Sequence, residues 1–345
     1  MVKLFIPKFD FKNQLLFEIF EYSEKGDFLI SKTAENLFVC VENYEDSDWI
    51  IIPVFITSLS SASGKEYIKN AAKLAQSLNK PFGVFSNSDL IINPGVENVF
   101  VFTPGAYSTY SNLIEIPATL PYDPVQKWKQ GNWLPWDPSG PLIGFCGQAT
   151  INPIKMLKDA LKISKLRQEL KKGGSPYLTV PNFLPAWERA RILKKLQATD
   201  LRTDFILRSR YKAGASSLDE KEKVEEDFYQ NIDKSLFTVC VRGMGNYSVR
   251  FYQTLAMGRI PILIDTDSVL PFSSEIPYDQ FILKVSFQDR FNLKPIIESF
   301  VKSKTEDELI SIQKLARECW IQHFQTKGMI KDLEKQMRKL AVEMQ

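Results

Sequence analysis

The 345-residue sequence has little with which to build a metal or redox centre: one histidine and four cysteines. Cys40, Cys146, Cys240 and Cys319 lie far apart, each inside an apolar run such as Phe38-Val39-Cys40-Val41. With no C-x-x-C pair and no Cys/His cluster, neither a zinc site nor a disulfide framework is supported, and buried free thiols in a reducing compartment are expected. No apolar stretch approaches the roughly 18 residues of a membrane span. The apolar start Leu4-Phe5-Ile6 is too short for a secretory signal, so a cytoplasmic protein is expected. Charge of one sign is also scarce. The formal net charge is +3, which gives no concentrated basic stripe and no reason to expect nucleic acid. It does leave room for a pocket that takes an anionic ligand. No repeat or low-complexity tract occurs.

Short apolar runs alternate with segments of helical period, the pattern of parallel sheets covered by helices. In the first half, strands are expected at 2–6, 37–41, 49–52, 82–85, 99–102 and 113–116. A helix between them has Tyr67, Ile68, Ala71, Ala72, Ala75 and Leu78 on one face. Residues 121–140 are rich in Pro, Gly, Trp and Asp and read as a linker or cleft loop. The pattern then restarts, with strands at 142–146, 204–207, 236–241, 260–264 and 281–285. Helices are expected at 155–171, 187–196, 220–232, 248–257 and 293–301. Thr305-Glu306-Asp307-Glu308 is a capping box that opens a helical tail, in which Leu309, Ile312, Ala316, Cys319, Trp320 and His323 share a face and Gly328 interrupts. The expected organisation is an α/β domain over 1–120, the linker 121–140, a second α/β domain over 141–304, and helices 305–345 packing back on the first.

The stretch richest in chemistry runs from Ser235 to Ile264: strand, glycine-bearing turn, helix, small-residue turn, strand. Glycines between a strand and a helix put backbone N–H groups and the positive helix end at the sheet's carboxyl edge, which suits a phosphate. Ser248 at the helix start can cap it or donate to a phosphate oxygen. Arg242 and Arg250 bracket the turn, and planar guanidinium forks suit a diphosphate. Gly243-Met244-Gly245 is neither a G-x-G-x-x-G fingerprint nor a P-loop, so on residues alone an ordinary βα turn with surface arginines remains an equal reading.

Ser235, Phe237, Arg242-Gly243, Gly245, Ser248, Arg250, Leu255-Ala256, Gly258, Ile260-Pro261 and Leu270-Pro271-Phe272 together resemble the donor domain of exostosin-like glycosyltransferases. A thinner match extends through Tyr229, Phe145-Cys146-Gly147 and Asp48-Trp49-Ile50-Ile51-Ile52-Pro53. It covers most of the chain thinly and about 50 residues densely. The resemblance implies a GT-B fold with two Rossmann-like, doubly wound domains facing a cleft. It implies an inverting transfer of sugar from a nucleoside-diphosphate sugar, UDP foremost, to a glycan or lipid-linked glycan, with no cofactor required. Arg242, Ser248 and Arg250 fall on positions expected near the diphosphate, with the backbone of Gly243, Gly245 and Asn246. Gly147 lies on the family's first donor-domain turn. Where the family carries a glutamate for the nucleoside, this chain has Gln253.

Other residues invite competing readings. Asp265-Thr266-Asp267 matches the D-x-D of metal-dependent transferases, yet a polar turn capping a strand explains it equally simply and is preferred. A metal-dependent transferase using that pair, or a catalytically inactive nucleotide- or glycan-binding relative, are the alternatives. Arg208, after its strand, can reach a phosphate or a sugar carboxylate. His323 is spaced as a packing residue. Asp48, Asp89 and Asp123 are the candidates for a general base, and the sequence does not choose among them. Lys327, Lys331, Lys335, Arg338 and Lys339 make the last helix basic and open to an anionic membrane, but Asp332, Glu334 and Glu343 among them favour a solvated helix.

Overall fold

The computed structural model describes residues 1–9, 14–24, 28–91, 94–96, 99–128, 133–134, 137, 139–172 and 180–344. The tryptophan-rich part of the 121–140 segment, Trp136 included, lies largely outside the described residues.

Strands β1 (Val2–Phe5), β4 (Phe38–Cys40), β5 (Trp49–Phe55), β6 (Phe82–Phe85), β7 (Val99–Thr103) and β8 (Leu113–Glu115) form one parallel sheet in the order β4-β1-β5-β6-β7-β8. β2 (Phe20–Tyr22) and β3 (Phe28–Ile30) make a small antiparallel pair that the apolar pattern does not announce. Helix α1 (Ala62–Ser77), capped by Ser61, covers this sheet with Tyr67, Ile68, Ala71 and Ala75 buried, as its periodicity requires. A short helix α2 (Pro124–Trp128) stands within the segment expected to be loop, because Pro124 supplies a preset φ at its start.

The second sheet is also parallel, in the order β10-β9-β11-β12-β13, from β9 (Ile143–Gln148), β10 (Thr203–Arg208), β11 (Phe237–Cys240), β12 (Ile260–Asp265) and β13 (Leu283–Ser286). Its helices are α3 (Pro153–Lys172), α4 (Pro185–Gln197), α5 (Leu218–Lys234), α6 (Val249–Ala256) and α7 (Leu293–Lys302). The chain leaves β9 for β10 on one side and returns to β11 on the other. The carboxyl ends of β9 and β11 therefore flank a switch point, where a doubly wound sheet opens a crevice. The fold is α/β of the GT-B kind, two doubly wound sheets meeting at a cleft with helices at the C-terminal end.

Those helices are α8 (Glu306–Cys319), opened by the Thr305/Glu308 capping box, and α9 (Thr326–Glu343), joined through a π turn at Trp320–Phe324. Gly328 does not break the helix. It sits in the first turn of α9, where a Cβ would lie 2.0 Å from Gln322 O, so glycine lets the helix start against the π turn. α9 reaches the first sheet: the buried Trp49 indole donates to Met337 O at 2.9 Å. Cys146, Cys240 and Cys319 are buried but Cys40 is exposed, a correction that follows from β4 being an edge strand.

Trp49→Phe removes that donor and part of a fully buried side chain, so urea unfolding should show a loss of about 1–3 kcal/mol.

Candidate functional site

Helix α6 begins at the switch point. Its N-cap, Ser248, makes no side-chain capping bond, so the hydroxyl is not drawn back onto its own helix. Within the first turn, Arg250 stands over Phe145, 4.1 Å from guanidinium carbon to ring centre, with Phe228 at 5.8 Å. Its Nη2 donates to Cys146 O at 2.9 Å, at the end of β9. Gly147 makes this approach possible, since a Cβ there would sit 2.4 Å from Arg250 Nη2. Arg189, near the start of α4, reaches the same strand end and donates from Nη1 to Gln148 O at 2.6 Å. Arg208, at the end of β10, donates to Val224 O at 3.0 Å and stands 3.5 Å from Asp227.

Charge is poorly balanced here. The Nε atoms of Arg189 and Arg250 are both sealed from solvent and, among the described residues, find no hydrogen-bond partner. Burial lowers the pKa of Arg250. Burial first, and then the charge of Arg250, pulls Arg189 down to about 9. Among the described residues neither Arg189 nor Arg250 has a carboxylate partner, an arrangement that can accept an anion.

Arg242 does something different from what its position suggests. It is buried, and its guanidinium donates to Gly245 O (3.1 Å), Met244 O (2.8 Å), Asn246 Oδ1 (2.8 Å) and Tyr107 OH (2.6 Å). Asn246 in turn donates to Ala106 O (3.1 Å) and Asp267 O (3.2 Å), and Tyr107 bridges to Ser268. Arg242, Gly245 and Asn246 thus tie the turn after β11 to the loop after β7. No Cβ constraint acts at Gly243. A cavity of about 680 Å³ opens beside Arg242 at the carboxyl ends of β12 and β13, lined by Tyr107, Asp265, Thr266, Phe183 and Phe287 among others.

Gln253 donates to Tyr229 OH at 3.2 Å. Tyr229 stacks on Trp128 of α2 (6.1 Å, 20°) and meets Phe228 edge-on (5.3 Å, 87°). An aromatic wall therefore runs from Arg250 past Gln253.

The remaining candidates separate. Asp48 precedes β5, at the amino edge of the first sheet, where its carboxylate accepts from Lys3 N at 2.8 Å. It is on the wrong edge for the crevice, which corrects its candidacy as base. Asp123 is held bidentate by Arg317 (2.9 and 2.5 Å), a pairing that removes it too. Asp89, after β6, accepts from Tyr247 OH at 3.0 Å and so faces the donor-side turn. Asp265 pairs with Lys284 (3.0 Å) and accepts from Ser268 N (3.0 Å), while Asp267 is bonded by Ser108. Among the described residues no three His, Cys, Asp or Glu side chains gather as a metal site would require. His323 lies in the π turn against the buried Asp332, 2.6 Å away.

Two residues were missed in sequence. Arg189 comes from a separate helix with no motif around it. Glu115, at the end of β8, lines a small cleft with Arg242, Asn246 and Ser248, accepts from Ala106 N at 2.5 Å, and is pushed well above the usual carboxylate range by burial. The only signal for Glu115 was a carboxylate ending an apolar run.

No protein-family profile matches the chain. A probable glucuronosyltransferase of Oryza sativa subsp. japonica is 31% identical over 88 residues, 26% of this chain and 19% of that protein. A probable β-1,4-xylosyltransferase of Arabidopsis thaliana is 31% identical over 72 residues, 21% of this chain and 18% of that protein. The match thus spans about a fifth of these relatives' length. Among solved structures, TarM aligns over 91% of this chain and 59% of its own, at 12% identity and a TM-score of 0.36.

Pyrophosphate should raise the thermal midpoint by several degrees, as a ligand selective for the folded state does. Arg189→Met should retain less than half of that rise; an undiminished rise would exclude Arg189 from the anion site.

Proposed function

We propose that this chain is an inverting glycosyltransferase that uses a nucleoside-diphosphate sugar, a UDP-sugar foremost, and a glycan or lipid-linked glycan acceptor. The observation that carries this reading is the pair of half-buried guanidinium groups, Arg189 and Arg250, held together at the carboxyl end of β9 with no carboxylate partner among the described residues. Low-identity relatives named as probable glucuronosyl- and xylosyltransferases support the same reaction class.

In this reading, residues 141–304 bind the donor and 1–120 present the acceptor. The diphosphate lies against Gly147, the N-terminus of α6 with Ser248, and the guanidinium groups of Arg250 and Arg189, with Arg208 behind. The nucleoside lies along Gln253 and Tyr229. The sugar points toward the cavity beside Arg242. As the anomeric C–O bond to the diphosphate breaks, negative charge grows on the leaving oxygen, where fixed cations already stand; they stabilise the transition state more than the ground state. Arg242 holds the turn in place and acts as a positioning residue. Asp89, facing that turn, takes the acceptor hydroxyl's proton as the new C–O bond forms on the opposite face of the sugar. Because guanidinium groups meet the diphosphate, activity persists in EDTA.

The test is transfer from a panel of UDP-sugars to oligosaccharide acceptors in EDTA, with product configuration read by NMR. Inverted product is expected, and Asp89→Asn should lower kcat by about 10²–10⁴-fold without changing the Kd for UDP. Retained configuration, or no turnover from a protein that binds UDP, would refute the proposal.

A further inference from the structure

Helix α3 leaves most of its surface uncovered. Of its 20 residues, only Ile163 is buried. Ile154, Leu157 and Leu161 are 67%, 61% and 64% exposed, and Ile151 just ahead of the helix is 51% exposed. A single exposed leucine means little. Three aliphatic side chains at i, i+3 and i+7 stack into one strip, and a contiguous strip does need a partner. It lies roughly 150° around the helix from Ile163, so it faces away from the body of the protein.

A second strip runs beside it. Lys155, Lys158, Lys162 and Lys165 follow the same spacing and flank the aliphatic strip along its length. The helix has two carboxylates, Asp159 and Glu169, which pair with Lys155 at 3.1 Å and Lys165 at 3.8 Å as solvated i,i+4 neighbours. The helix as a whole is strongly cationic. The basic last helix, α9, is different: it buries Met329, Ile330, Leu333 and Met337 and presents no aliphatic strip.

We infer that α3 docks on an anionic membrane surface, with Ile154, Leu157 and Leu161 entering the headgroup–acyl boundary and the lysine strip meeting lipid phosphates. Aliphatic residues beside lysines on a helix lying flat are the chemistry of interfacial binding. Four aliphatic side chains fall far short of the roughly 800 Å² per partner of a stable protein interface, and the lysine strip would repel its own copy. Among the described residues no helix is long and apolar enough to cross a membrane, so the contact is at the surface. Arg167 and Leu170, on the inward Ile163 side of the same helix, line the cavity beside Arg242, so docking leaves that cavity roughly one helix diameter from the lipid surface.

The test is flotation of the full chain with vesicles of phosphatidylcholine alone and of phosphatidylcholine mixed with phosphatidylglycerol. Binding to the anionic vesicles only is expected, with loss at high salt. Leu157→Glu/Leu161→Glu and, separately, Lys158→Glu/Lys162→Glu should each cut the bound fraction about ten-fold. Both variants should keep the wild-type circular dichroism and the pyrophosphate-induced thermal shift, which separates lost docking from lost folding. Failure of the wild type to float with anionic vesicles would overturn the inference, as would undiminished flotation of either folded variant. So would a wild-type dimer in sedimentation that Leu157→Glu/Leu161→Glu converts to monomer, since the strip would then belong to a second copy.

Discussion

Two half-buried guanidinium groups with no carboxylate partner among the described residues govern the switch point of the second sheet. Arg250 and Arg189 converge on the last residues of β9, each holding a backbone carbonyl and each with a sealed, unpartnered Nε. Such an arrangement costs stability in the empty protein, because a half-buried cation near another cation is poorly solvated. It persists because neighbouring elements fix it: Phe145 and Phe228 flank one guanidinium, and Gly147 leaves space for it. A dianionic group in that position would reverse the electrostatic penalty, and it is on this point that the donor reading rests.

The same edge is coupled to the other half of the molecule. Arg242 and Asn246 bind the turn after β11 to Tyr107 and Ala106 of the first half, with Glu115 under the same loop. Far from there, α9 returns to the first sheet through Trp49 and Met337, and Arg317 of α8 clamps Asp123 and Ala256 O. The two sheets are therefore joined at the cleft floor and again across the C-terminal helices. Tyr247 and Asp89 meet across the gap between these ties.

Much of this was legible in the chain. Apolar runs such as Ile260–Ile264 and Phe82–Phe85 are strands because a parallel strand covered on both faces has no polar side to show. The turn between β11 and α6 was legible because Gly243, Gly245 and Ser248 stand at spacings that only a strand-turn-helix needs. What failed was long-range. Asp123 read as a free carboxylate because its partner, Arg317, is 194 residues away, and the loop and Tyr107 contacts of Arg242 had no signal in the chain because they form only on folding. Arg189 carried no local signal at all. Side-chain chemistry follows local pattern when backbone geometry dictates it, and escapes pattern when tertiary contact does.

Calorimetric titration with UDP in EDTA, repeated with Arg250→Ala, tests the central claim most directly. The account predicts saturable, EDTA-insensitive binding that the substitution weakens at least ten-fold, the cost of about 1.4 kcal/mol or more expected for one charge-assisted contact. Absence of UDP binding by the folded wild type, or equal binding by Arg250→Ala, would contradict it.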